Sequence, residues 1–160
     1  MTIKVGDKLP EANLMIATAD GPQAATTAGI FAGKRVALFA LPGAFTPTCS
    51  AKHVPGFKAH AAELKAKGVD VIACLSVNDA FVMKAWAKDQ GVDGEMIMLA
   101  DGNGEFTKAV GLELDGSRFG MGARSLRYSL VAKDGVVEQL NVEEGGEFKV
   151  SSAEYLLEHL

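Results

Sequence analysis

An α/β domain, a mixed β-sheet flanked by helices, is predicted by three features of the sequence. Two apolar runs bounded by turn residues, 36–40 and 69–76, read as buried strands. Amphipathic stretches at 57–67 and 78–91 supply crossover helices between and after them. Two segments joined by an Asp-Gly pair, 126–132 and 136–142, add an antiparallel hairpin. Strands separated by helices and followed by a hairpin make a sheet of mixed direction.

Each element has its local reason. "VALFAL" lies between "GKR" and "PG", and "VDVIACLS" is β-branched and bounded by Gly68 and Asn78. In "FKAHAAELKAK", Phe57, Ala61 and Leu64 fall at helical spacing, Lys58, Lys65 and Lys67 can face water, and Gly68 ends the helix. "NDAFVMKAWAKDQG" repeats that logic, with Asn78 or Asp79 as cap, Phe81, Val82, Ala85 and Trp86 as the apolar stripe, and Gly91 as stop. "EMIMLA" (95–100) reads as a further strand, and a short helix is expected near 104–110. The glycine-rich "DGSRFGMGARS" (115–125) reads as a loop, and "SAEYLLEHL" as a closing helix.

With 160 residues, 48% of them hydrophobic and 22% charged, the chain fits one domain over 1–160 with a real core. No repeat or low-complexity tract divides it. The longest apolar run is far below the roughly 18 residues of a bilayer span, so no membrane partner is expected. A net charge of −4 without a basic block argues against a nucleic-acid partner. The start, "MTIKVGDKLP", carries Lys4, Asp7 and Lys8 where a secretory signal needs apolar residues. Together with only two cysteines, Cys49 and Cys74, this makes the cytoplasm the expected compartment.

Chemistry concentrates in "LPGAFTPTCSAKHVPGF" (41–57). Thr46 is a good helix N-cap, Pro47 suits the first helical position, and Cys49 then falls on the first turn. Unpaired first-turn N–H groups and the helix dipole favour a thiolate there. Lys52 and His53, three and four residues on, can add positive charge, although His53 also reads as a packed residue. Such a thiolate can attack a disulfide, a peroxide or an acyl group, or simply remain buried. Pro55 removes a helical hydrogen bond, so residues 47–55 are expected to unwind readily.

"PGAFTPTCS" resembles the peroxiredoxin active-site pattern Pro-x-x-x-Thr/Ser-x-x-Cys through Pro42, Thr46 and Cys49, and "KHVPGF" resembles the peroxiredoxin 5 subfamily. "IKVGD", "LKAKGV", "ACLSVNDAFV" and "RYSLV" extend the resemblance along most of the chain. It implies a thioredoxin-like fold and reduction of hydrogen peroxide or organic hydroperoxides, with Cys49 as the peroxidatic cysteine passing through a sulfenic acid. The family's arginine carries over to Arg127, with Arg124 as its rival. A homodimer with the 116–125 loop near the contact is also implied.

In that chemistry Arg127 offers always-ionised donors to developing charge, the Thr46 hydroxyl relays a hydrogen bond, and Pro42 shields the sulfur from water. Cys74, inside a predicted buried strand, reads as inert, and no cysteine follows it. Glutathione, with or without glutaredoxin, or thioredoxin is therefore the expected reductant. No cofactor or metal is called for. Cys49 and His53 have ligand-like spacing, but only Cys74, His60 and His159 remain as further soft ligands for zinc. "DGNGEF" lacks the glycine and glutamate of a calcium loop, and "GIFAGKR" lacks the spacing of a phosphate-binding loop. A peroxide sensor oxidised once, without turnover, is the alternative reading, and a Cys-x-x-Cys pair for thiol–disulfide exchange is absent.

Overall fold

The computed structural model describes residues 2–160. It opens with an antiparallel pair, β1 (Asn13–Thr18) and β2 (Gly21–Thr26), followed by α1 (Thr27–Phe31). β3 (Arg35–Leu41) leads into a helical segment that begins at Pro47, widens to a π-helical turn over Cys49–His53 and continues as α2 (Val54–Ala59). Then come α3 (Ala61–Ala66), β4 (Val71–Ser76), α4 (Ala80–Gln90), β5 (Ile97–Ala100) and α5 (Glu105–Val110). β6 (Glu113–Asp115) and β7 (Ala123–Ser125) form a small ribbon, and β8 (Tyr128–Lys133), β9 (Val136–Val142) and α6 (Ala153–Glu158) complete the chain.

Seven strands make one mixed sheet in the order β2-β1-β5-β4-β3-β8-β9, with β3, β4 and β5 parallel and the outer pairings antiparallel. Alternation along β3 divides the core. Phe39 and Leu41 point into one apolar layer with Cys49, Phe57, Cys74, Trp86 and Leu156, while Leu38 and Ala40 point into the other with Phe31, Phe106 and Leu130. The predicted hairpin is present, its turn made by Asp134 and Gly135 at φ 50° and 80°, as a tight type I′ connection demands.

Two local expectations change. The helix predicted over 57–67 is kinked at His60, whose ring pairs with Glu63 and with Glu154 of α6, each at 2.9 Å. In α4 the predicted Asp79 cap is present, accepting from Val82 N–H, but the buried face shares only Trp86 with the predicted stripe. Ala80, Met83, Trp86 and Ala87 are buried, and Phe81 is 71% exposed. Asp101 of "DGNGEF" caps α5, accepting from Phe106 N–H, Thr107 N–H and the Thr107 hydroxyl.

Candidate active site

The segment between β3 and α2 is short of regular structure until Pro47, and side chains hold it in place. Arg124 of β7 donates from Nη1 to the Pro42 carbonyl (3.2 Å) and from Nε to the Met121 carbonyl (3.0 Å). Asn78 accepts from the Ala44 N–H and from the Ser76 hydroxyl. Gly43 lies so close beneath Arg124 that a Cβ there would stand 2.8 Å from its Nη1. Phe45 adopts φ 65°, a strained setting for a side chain of its size.

Thr46 differs from its predicted part. Its hydroxyl donates to the Gly43 carbonyl at 2.7 Å, a bond that tightens the loop, and it does not cap the helix by accepting a first-turn N–H. Pro47 does stand first in the helical segment. The π-helical turn has its own cause in Pro55. A proline cannot return an N–H to the carbonyl four residues earlier and its ring crowds that carbonyl, whereas a wider turn, closed by Val54 N–H on the Cys49 carbonyl, accommodates both.

Cys49 is fully buried on this turn, and Arg127, immediately before β8, donates from Nη2 to its sulfur at 3.1 Å. The other arm of the same guanidinium, Nη1, lies 2.9 Å from His53 Nδ1. His53 Nε2 lies 2.9 Å from the Ser151 carbonyl. A carbonyl only accepts and an arginine only donates, so His53 carries its proton on Nε2 and presents a bare Nδ1 to Arg127.

The positive charge anticipated from Lys52 and His53 is therefore absent from the sulfur. Lys52 is exposed on the surface. Burial first, and the Arg127 charge second, push His53 down to about 3, against a smaller opposing effect of the Ser151 bond, so it is neutral at physiological pH. Of the two candidate arginines, Arg127 meets the sulfur and Arg124 clamps the Pro42 loop.

His53 as a neutral spacer, with Ser151 behind it, was not legible in the sequence as part of the site. Its only signal was the spacing of four residues from Cys49. Cys74 is a free thiol, buried in β4, and burial followed by the proximity of Cys49 pushes its pKa well up, outweighing an opposite pull from Arg127. Among the described residues, no group of three or more His, Cys, Asp or Glu side chains is arranged to hold a metal ion, and no helix is long and apolar enough to cross a membrane.

The profile of the family described as Redoxin matches residues 4–157. Peroxiredoxin-2E, chloroplastic, of Arabidopsis thaliana is 56% identical over 99% of this chain and 70% of its own length. Reduced Prx3 from Vibrio vulnificus, solved in complex with hydrogen peroxide, is 53% identical, superimposes with a TM-score of 0.94, and the match covers 98% of each chain. The Plasmodium falciparum antioxidant protein, described as a 1-Cys peroxiredoxin, is 28% identical with a TM-score of 0.92, over 98% of this chain and 97% of that one.

Proposed function

The chain belongs to the redoxin family as a peroxiredoxin, a cysteine-based peroxidase of thioredoxin-like fold, and from that premise we propose that Cys49 is the peroxidatic cysteine. Its substrates are hydrogen peroxide and organic hydroperoxides. The observation that carries this reading is the 3.1 Å approach of Arg127 Nη2 to the Cys49 sulfur. The thiolate attacks one peroxide oxygen, a sulfur–oxygen bond forms as the oxygen–oxygen bond breaks, and the departing oxygen leaves as hydroxide or alkoxide to be protonated. Cys49 is left as a sulfenic acid.

Each neighbour has a part in that step. The Arg127 guanidinium stabilises the sulfur anion before attack and the departing oxygen during it, without losing its own charge. Thr46, whose hydroxyl proton is committed to Gly43, keeps its oxygen lone pairs for the proton of a bound hydroperoxide. Pro42 has no N–H to draw water in and shields the sulfur from solvent. The hydrogen peroxide complex of the similar Vibrio protein supports this choice of substrate.

The sulfenic acid condenses with an external thiol, releasing water, and a second thiol reduces the resulting mixed disulfide. Glutathione, with or without glutaredoxin, or thioredoxin fills that role. The burial of Cys74, and its raised pKa, support an outside reductant over an internal disulfide. We take residues 1–160 as one catalytic domain, since both core layers rest on one sheet, and place it in a reducing compartment such as the cytoplasm. We further take it to be a homodimer joined near the 116–125 loop, where Phe119 is 78% exposed. A monomer in sedimentation at micromolar concentration would remove that last element.

Cys49→Ser is expected to abolish turnover of many peroxide equivalents with added thiol, and near-normal turnover in this variant would overturn the reading. A single stoichiometric oxidation of the wild-type protein would favour the sensor alternative. In the same titration, mass spectrometry after one equivalent of peroxide alone should find no Cys49–Cys74 bond.

A further inference from the structure

We propose that Glu143 is a positioning residue for Arg127: its carboxylate holds the loop that fixes the tautomer of His53, and His53 aims the guanidinium at the Cys49 sulfur. The proposal rests on the peroxidatic reading of Cys49 and concerns groups that never touch the peroxide. One carboxylate oxygen of Glu143, a buried residue just beyond β9, accepts from Lys149 N–H (2.7 Å), Ser151 N–H (2.8 Å) and the Ser151 hydroxyl (2.6 Å). These bonds close residues 143–151 into a fixed loop. The Ser151 carbonyl is thereby presented to His53 Nε2, and Phe148 packs edge-on against the imidazole with centroids 5.2 Å apart.

The same residue holds Arg127 at its root, because the Glu143 N–H donates to the Arg127 carbonyl at 2.9 Å. Glu143 thus acts on the arginine from both ends, directly through the backbone and indirectly through Ser151 and His53. The indirect route carries chemical information. If the Ser151 carbonyl moves away, the His53 proton is free to shift to Nδ1, and an N–H then faces an N–H of Arg127. Two donors cannot share a bond, so the guanidinium swings off the sulfur. The charged group facing His53 is Arg127, immediately before β8, and the same guanidinium meets Cys49. The rings of Phe39, Phe57 and Phe148 pack around it.

The test combines the nitrogen chemical shifts of the His53 imidazole with the rate of Cys49 oxidation by hydrogen peroxide. In the wild-type protein the proton should sit on Nε2 and the ring should not titrate between about pH 5 and 8. Glu143→Gln, which keeps the backbone bond and loses the anionic acceptor, should populate the Nδ1 tautomer or the imidazolium and slow oxidation by about tenfold to a hundredfold. Ser151→Ala, which removes one of the three donors and keeps the carbonyl, should give a smaller effect in the same direction.

A wild-type His53 protonated on Nδ1, or titrating in that range, overturns the proposal even if Glu143→Gln does not fold. So does a folded Glu143→Gln that is oxidised at the wild-type rate, or one that is slower with the His53 tautomer unchanged. The peroxidase reading is checked separately by Cys49→Ser. An active wild-type enzyme with an equally fast Glu143→Gln variant sinks the positioning role alone.

Discussion

At the scale of single residues, two arginines three positions apart do different work because of where their donors end. Arg124 spends Nε and Nη1 on backbone carbonyls of the Pro42 loop and its own ribbon, whereas Arg127 splits its fork between a sulfur and an imidazole nitrogen. The division predicts a sharp response to Arg127→Lys. A lysine keeps the charge but offers one ammonium in place of two fixed arms, so it cannot hold both His53 and the sulfur. Oxidation by hydrogen peroxide, followed by stopped flow, should slow at least tenfold, and Arg127→Ala should slow it by about 10²-fold or more. A lysine variant at the wild-type rate would reduce the arginine's part to charge alone. The meeting of Arg127 with Cys49 was legible because Cys49 lies in one short motif with Pro42 and Thr46, and Arg127 precedes a matching strand. Ser151 and Glu143 were not, and His53 reads in the sequence only as a packed or charge-adding residue. Their link is a contact across 98 positions, and nothing in a sequence tells a neutral buried histidine from a charged one.

At the scale of elements, the π-helical turn over Cys49–His53 and the proline behind it belong together. Pro55 was visible in the sequence as a weak point, but its structural answer, a widened turn that lets one guanidinium span Cys49 and His53, depends on packing against β8. Oxidation should destabilise this turn, because a sulfenic oxygen needs the space now held by the Arg127 contact and the sulfur is fully buried. Amide exchange over residues 47–55 should therefore be faster in the oxidised protein than in the reduced one. Equal protection in both states would mean that an external thiol reaches the sulfur by another route. Elements with strong local signals were read well: β3, β4, the Asp-Gly hairpin and the Gly91 stop of α4. The first hairpin was not, since β2 contains Gly21, Pro22 and two alanines, all weak strand formers tolerated at a mostly exposed sheet edge. The α4 stripe failed, apart from Trp86, for a subtler reason. Phe81 and Ala85 fit a helical period, but so do Ala80, Met83 and Ala87, and only the sheet decides which set turns inward.

At the scale of the whole molecule, burying polar groups, His53 beside Cys49 among them, ties stability to pH. His53 is held neutral down to about 3, while an unfolded chain takes up that proton near 6.5, so between these values the unfolded state binds more protons and stability falls as pH falls. Its share is about 1.4 kcal/mol for each pH unit well inside that window. Glu143 acts with the same sign lower down. Burial alone would raise its pKa, but the Ser151 hydroxyl and the N–H groups of Ser151, Lys149 and Val150 outweigh that and lower it. Its contribution is present above the ordinary carboxylate range and is lost as pH drops through its depressed value. Asp101 opposes both, since burial raises its pKa despite the bonds from Thr107 and Phe106, and a proton retained in the folded state offsets part of the loss on acidification. The sum predicts that the unfolding free energy, measured in urea from pH 7 to pH 4, declines with a slope approaching one proton below about pH 6. His53→Gln should flatten that limb, because a glutamine has no proton to gain on unfolding. A wild-type curve flat across this range would show that His53 titrates alike in the folded and unfolded chains, and with that the dry, neutral imidazole on which the Arg127 geometry depends would be lost.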